Sequence, residues 1–176
     1  MAAFAMMRCS STLAVEDAER VLIRPNSWTM DPQASRVNGL TMEMLHDLGV
    51  DVSVALDYYQ DSILAEGRAI AAYNVAFDTK VMRAELRLAG RPDLYEQTRT
   101  FCIMRASTGV CKIPKANGNG LKFPKLDEAC AHWHIERRGA HTAGGDCGDA
   151  LRVFRRLMEI GIDCTPKVQK AKGDSE

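Results

Sequence analysis

The sequence lacks any apolar run approaching the roughly 20 residues that a membrane-spanning helix requires, so a helical membrane protein is excluded. It also lacks paired cysteines. Cys9, Cys102, Cys111, Cys130, Cys147 and Cys164 are scattered with no CxxC spacing, which argues against a structural zinc site and a redox dithiol. Reduced and mostly buried thiols in a cytoplasmic protein are the expectation. Net charge is absent as well, with 23 Lys and Arg against 23 Asp and Glu, so the total gives a polyanionic partner no support. The apolar opening, residues 1–7, has no basic region before it and no small-residue cleavage site after it. It reads as a strand that begins abruptly. Internal repeats and low-complexity linkers are missing too.

What is present suits one α/β domain. A chain of 176 residues with 46% hydrophobic and 26% charged residues can bury one proper core and is too short for two domains of ordinary size. We place the domain at residues 1–163 and read 164–176 as a flexible polar tail. One absence is local: from Gln97 to Leu126 there is no Asp or Glu, while Arg99, Arg105, Lys112, Lys115, Lys122 and Lys125 lie inside that stretch. A phosphate backbone requires such a basic footprint, although solvated loops have it too.

Two antiparallel strands are expected at residues 2–9 and 20–24, separated by the polar segment 10–18. Asp31 before Pro32 signals a short helix that Gly39 ends. Further helices are expected over 41–48 and 51–64, with Gly67 past the second. The run Ala69 to Tyr73 is wholly apolar, as in a strand covered on both faces. A helix over 77–88, a strand including 100–103, a long loop over 110–124 and helices over 126–135 and 144–160 complete the expectation.

Two arrangements carry chemistry. In His141-Thr-Ala-Gly-Gly-Asp146 a loop enters a helix, so that an imidazole and a first-turn carboxylate can face one crevice. Phosphodiester hydrolysis uses such groups: a carboxylate for a divalent cation and a base for the attacking water. In Tyr73-Asn74-Val-Ala-Phe77-Asp78 a second carboxylate lies just beyond the carboxyl end of a central strand, where open α/β sheets bind ligands. Taken singly, Asp146 is better read as an ordinary helix-start residue complementing the dipole, and Asp78 at least as well. His132 and His134 are two apart in a helix and do not face each other. His46 has no evident partner, and Trp28 and Trp133 read as packing.

Together and in this order, the segments resemble the DEDDh 3′→5′ exonucleases. That family's second motif ordinarily reads HNxxFD, and here Tyr73 replaces the histidine before Asn74, Phe77 and Asp78. The third, HxAxxD, is matched by His141, Ala143 and Asp146. Leu22 to Pro25 and Asn38-Gly39-Leu40-Thr41 are similar to its "IRP" strand end and "HGIT" turn, and 101–126 is similar to a phage and bacterial branch. The resemblance spans about residues 1 to 160. It implies an RNase H-like α/β fold, a mixed sheet flanked by helices, and release of nucleoside monophosphates from single-stranded DNA or RNA 3′ ends.

The implied cofactors are two divalent cations, Mg²⁺ or Mn²⁺. Asp146 and Asp78 would be metal ligands and His141 the general base. Asn74, Phe77, Gly39 and Leu40 would hold the terminal nucleotide, Phe77 by stacking. Lys112, Lys115, Lys122 and Lys125 would contact phosphates. Both a monomer and a homodimer are compatible with the resemblance. The family's first motif, an Asp-x-Glu on the opening strand, has no counterpart: Glu16 and Asp17 are adjacent, so on a strand their side chains point to opposite faces. The expectation is therefore a fold lacking its first central strand, between 2–9 and 69–73, through a start at an internal methionine. Such a chain would be poorly stable and inactive until completed. The rival expectation is a homologue without catalysis that binds nucleic acid or serves as a scaffold.

Overall fold

The structure, a computed structural model, describes residues 1–65 and 68–168. Strand β1 (Ala3–Cys9) pairs antiparallel with β2 (Val15–Leu22), with Phe4 opposite Val21 and Arg8 opposite Asp17. β2 starts five residues before the expected 20–24, inside the segment read as a polar turn. Strand pairing overrides polarity here because β2 has β1 on one side only, and an edge strand tolerates charge. Glu16 is paired to Arg68 and Asp17 to Arg8.

Three helices follow: α1 (Pro32–Asn38), α2 (Met42–Leu48) and α3 (Val52–Leu64). Their N-caps are Asp31, Thr41 and Asp51, and each side chain accepts hydrogen bonds from backbone N–H groups of the first turn, which otherwise lack partners. Gly39 closes α1 at φ 71°, a left-handed conformation that costs glycine nothing. Gly67 lies outside the described residues. Gly49 is required for a second reason. A Cβ there would fall on the Leu45 carbonyl and on the Arg24 backbone, preventing the bridge between Ile23 and Val50.

Strand β3 (Ile70–Ala72) lies parallel to β4 (Arg99–Cys102), and β4 pairs antiparallel with β5 (Lys167–Val168). Residues 167–168, expected to belong to a free tail, thus extend this sheet. Helix α4 (Val75–Leu88) begins two residues before the expected start. Helix α5 (Ile103–Cys111) directly follows β4 and occupies the start of the expected loop. Helix α6 (Leu126–His132) is three residues shorter than expected, and α7 (Ala143–Glu159) runs close to the expected span.

Apolar residues collect in two clusters. Phe4, Ile23, Leu56, Ile70, Met82 and Leu86 form one, between the β1–β2 hairpin and helices α3 and α4. Phe101, Ile103, Cys130, Val153, Phe154 and Leu157 form the other, where α5, α6 and α7 cover β4. Phe101 and Phe154 stack with centroids 4.9 Å apart. Each large side chain so buried contributes about 1.5–3 kcal/mol. All six cysteines are free thiols, and Trp133 packs on the second cluster.

Among the described residues there are two sheets, β1–β2 and β3–β4–β5, in place of the one mixed sheet expected. Among the described residues β1 and β3 therefore each have a single strand partner. Both line one cavity of about 1930 Å³, together with the beginnings of α4 and α7. That cavity lies where a central strand was expected, and it positions the site.

Candidate active site

The entry to α7 is built by a tight turn. Thr142 is the N-cap, and its hydroxyl accepts from Gly145 N at 3.1 Å and donates to the Gly139 carbonyl at 2.6 Å. A Cβ at Gly145 would fall on the Gly139 and Arg138 carbonyls, so only glycine lets the turn close on the helix. His141 adopts φ 66°, a left-handed conformation in which non-glycine residues are uncommon, though histidine is enriched there. In this conformation its backbone N–H donates to Asp146 Oδ1 at 3.1 Å. The imidazole is exposed, free to meet a substrate.

Asp146 has a second partner that the sequence did not announce. The Arg137 guanidinium is paired to Asp127 on α6 and to Asp146 and Asp149 on α7, with Nε 2.7 Å from Asp149 Oδ2. Asp149 is completely buried and is also paired to Arg152. A buried carboxylate is tolerated only when neutralised and hydrogen-bonded in this way. The adjacent arginines, Arg137 and Arg138, ahead of the HxAxxD segment were the one available signal.

Asp78 lies in the first turn of α4. It keeps contact with solvent through the open cleft, yet protein crowds it on the other sides, and this desolvation raises its carboxyl above the ordinary range. Its charge is felt on α7. The Cys147 thiol is pushed up to about 11 by burial first, then by Cys9 and Asp78. Asn74, the N-cap of α4, makes no side-chain capping bond, and the Phe77 ring is 63% exposed.

Asn74, Phe77, Asp78, His141, Asp146 and Leu40 line the same cavity. Gly39 does not line it but turns the chain that presents Leu40. Lys112, Lys115, Lys122 and Lys125 lie outside it. Lys122 is paired with Glu128. Tyr73, at the position of the family's histidine, donates its hydroxyl to the Pro124 and Lys125 carbonyls, both at 2.9 Å. Burial raises its phenol strongly, so Tyr73 fastens the basic loop to the carboxyl end of β3 and does not titrate in the working range.

The family that these motifs resemble uses divalent metal ions. Among the described residues no group of three or more His, Cys, Asp or Glu could hold one. Two carboxylates face the cavity from α4 and α7, and one of them is already neutralised by Arg137. Hard divalent cations take six or more oxygen ligands, so these residues do not by themselves fit a two-cation site.

No curated protein matches the sequence. A family model described as an exonuclease matches residues 1–154. Among solved structures the chain is similar to E. coli exonuclease I in complex with a dT13 oligonucleotide, with TM-score 0.75, 18% identity and 90% of this chain covered. It spans only 39% of that protein's length. It is also similar to the nuclease domain of 3′hExo, a DEDDh family member bound to rAMP, with TM-score 0.73 and 14% identity, covering 96% of this chain and 85% of that one. Exonuclease X in complex with 5′ overhanging duplex DNA gives TM-score 0.62 at 16% identity, covering 92% and 84%. No helix among the described residues is long and apolar enough to cross a membrane. With the family model covering most of the chain and the motif residues gathered on one cavity, the chain belongs to the exonuclease family, and its fold is the RNase H-like one.

Proposed function

We propose that this domain hydrolyses the terminal phosphodiester at the 3′ end of single-stranded DNA or RNA and releases a nucleoside monophosphate. One observation carries this reading: Asn74, Phe77, Asp78, His141 and Asp146, distant in sequence, converge on one cavity at the carboxyl end of β3. Phe77 offers an exposed ring face to the terminal base and Asn74 an uncommitted amide. The His141 imidazole takes the proton of the attacking water. As water adds to phosphorus, the bond to the preceding 3′ oxygen breaks and that oxygen leaves with a proton. Two divalent cations, Mg²⁺ or Mn²⁺, belong to this reading, and Asp78 and Asp146 would supply only part of the ligand set that such a pair requires. The six free thiols fit a cytoplasmic location, with the domain acting as a monomer or homodimer.

A second reading is favoured by the absence of a three-ligand group among the described residues: a domain that binds nucleic acid or acts as a scaffold without cutting. A 5′-labelled single-stranded oligonucleotide with Mn²⁺ separates the two. A ladder shortening from the 3′ end, stopped by EDTA, supports hydrolysis. Retarded but intact oligonucleotide supports binding without cutting, and an oligonucleotide neither shortened nor retarded overturns hydrolysis and binding together.

A further inference from the structure

Resting on the nucleic-acid reading above, we propose that Phe123 and Arg105 form a stacking platform for an unpaired base of the bound strand, separate from the position at Phe77. The Phe123 ring is 54% exposed, although the next residue, Pro124, is fully buried and anchors the segment. The Arg105 guanidinium lies over this ring, 5.8 Å from its centroid. An exposed aromatic residue is ordinary in itself. The guanidinium is the distinguishing observation: among the described residues Arg105 has no ion pair, in a stretch from 97 to 126 that contains no Asp or Glu. The two acids that follow this stretch are themselves paired, Asp127 with Arg137 and Glu128 with Lys122, and Glu128 also accepts from the Lys125 backbone N–H.

The platform is tied to the site. The segment 113–122 is closed by the Pro114–Leu121 bridge, by Lys122 N donating to the Ile113 carbonyl at 2.9 Å and by Lys115 N donating to that of Gly120 at 3.0 Å. Tyr73 holds both halves: its hydroxyl donates to the Pro124 carbonyl, next to Phe123, and its carbonyl accepts from Met104 N at 2.8 Å, next to Arg105. Tyr73 itself precedes Asn74. Phe123 and Arg105 are thus fixed beside the carboxyl ends of β3 and β4, the edge from which Asn74, Phe77 and Asp78 also project. An aromatic face with a guanidinium beside it, in a basic and acid-free stretch, suits a nucleobase followed by its phosphate.

The test uses the full chain and a phosphorothioate oligothymidylate that is not consumed. Phe123→Ala should weaken its binding by about 5- to 100-fold, the usual loss of one stacked base, while Phe123→Trp retains affinity. The new indole should be quenched on binding, above the background of Trp28 and Trp133. Thermal unfolding of both variants confirms the fold. If the wild type binds and Phe123→Ala binds equally well, or if the folded Phe123→Trp variant shows no added quenching, the platform is overturned and the proposed function stands. Failure of the wild type to bind any oligonucleotide overturns both.

Discussion

Arg137 and Asp146 form an ion pair that neutralises, from within the chain, the carboxylate presented by the third exonuclease motif. The same guanidinium continues onto buried Asp149 and onto Asp127, so it joins α6, α7 and the His141 loop. Asp146 is therefore held by the Arg137 side chain nine residues earlier together with the His141 backbone N–H.

Arg137→Met should lower unfolding stability by about 3 kcal/mol, the lower end for breaking a buried pair, because Arg152 still neutralises Asp149. The pair with Asp146, which is 41% exposed, contributes little of this. Urea denaturation measures the loss. A change below about 0.5 kcal/mol would mean that Asp149 is satisfied by Arg152 alone.

Asp78 gives a pH signature. Its folded-state carboxyl is raised by desolvation, so the folded protein holds that proton more tightly than the unfolded chain does. Its contribution to stability is fully present below the unfolded-state value and is lost as pH rises through the folded-state value. Asp78→Asn should then raise the thermal midpoint at neutral pH and change it little in acid. A midpoint lowered at neutral pH would contradict the sign.

His141 combines chemistry with a left-handed backbone. His141→Ala should reduce turnover by about 10²–10⁴, with binding nearly unchanged, in any form of the protein that cuts 3′ ends. His141→Gly should be equally inactive but more stable than His141→Ala by about 1 kcal/mol, because glycine adopts this φ without strain. Equal midpoints for the two variants would show that the turn relaxes.

In the basic loop, the Lys112, Lys115 and Lys125 side chains form no ion pair among the described residues, whereas Lys122 is paired with Glu128. Replacing the first three with Ala should flatten the salt dependence of oligonucleotide binding by about 0.7 in the log–log slope for each phosphate that is no longer neutralised. Lys122→Ala should leave the slope unchanged and lower stability slightly. A titration in NaCl followed by anisotropy reads both.

The features legible in the sequence were those decided within a few residues. Asp31, Thr41 and Asp51 start helices because their side chains reach N–H groups two or three positions ahead. Asp78 and the His141–Asp146 turn were legible for the same reason, as first-turn carboxylates at helix starts. Tertiary structure decided the rest. Val15–Asp17 became strand only because β1 lies beside them. Lys122 was paired with Glu128, and Tyr73 was committed to a loop 51 residues away. Among the described residues two short sheets stand in place of one, with β1 and β3 both lining a common cavity. Propensity and capping act along the chain over one helical turn, whereas strand pairing and the neutralisation of a buried charge such as Asp149 depend on which distant groups packing brings within hydrogen-bond reach.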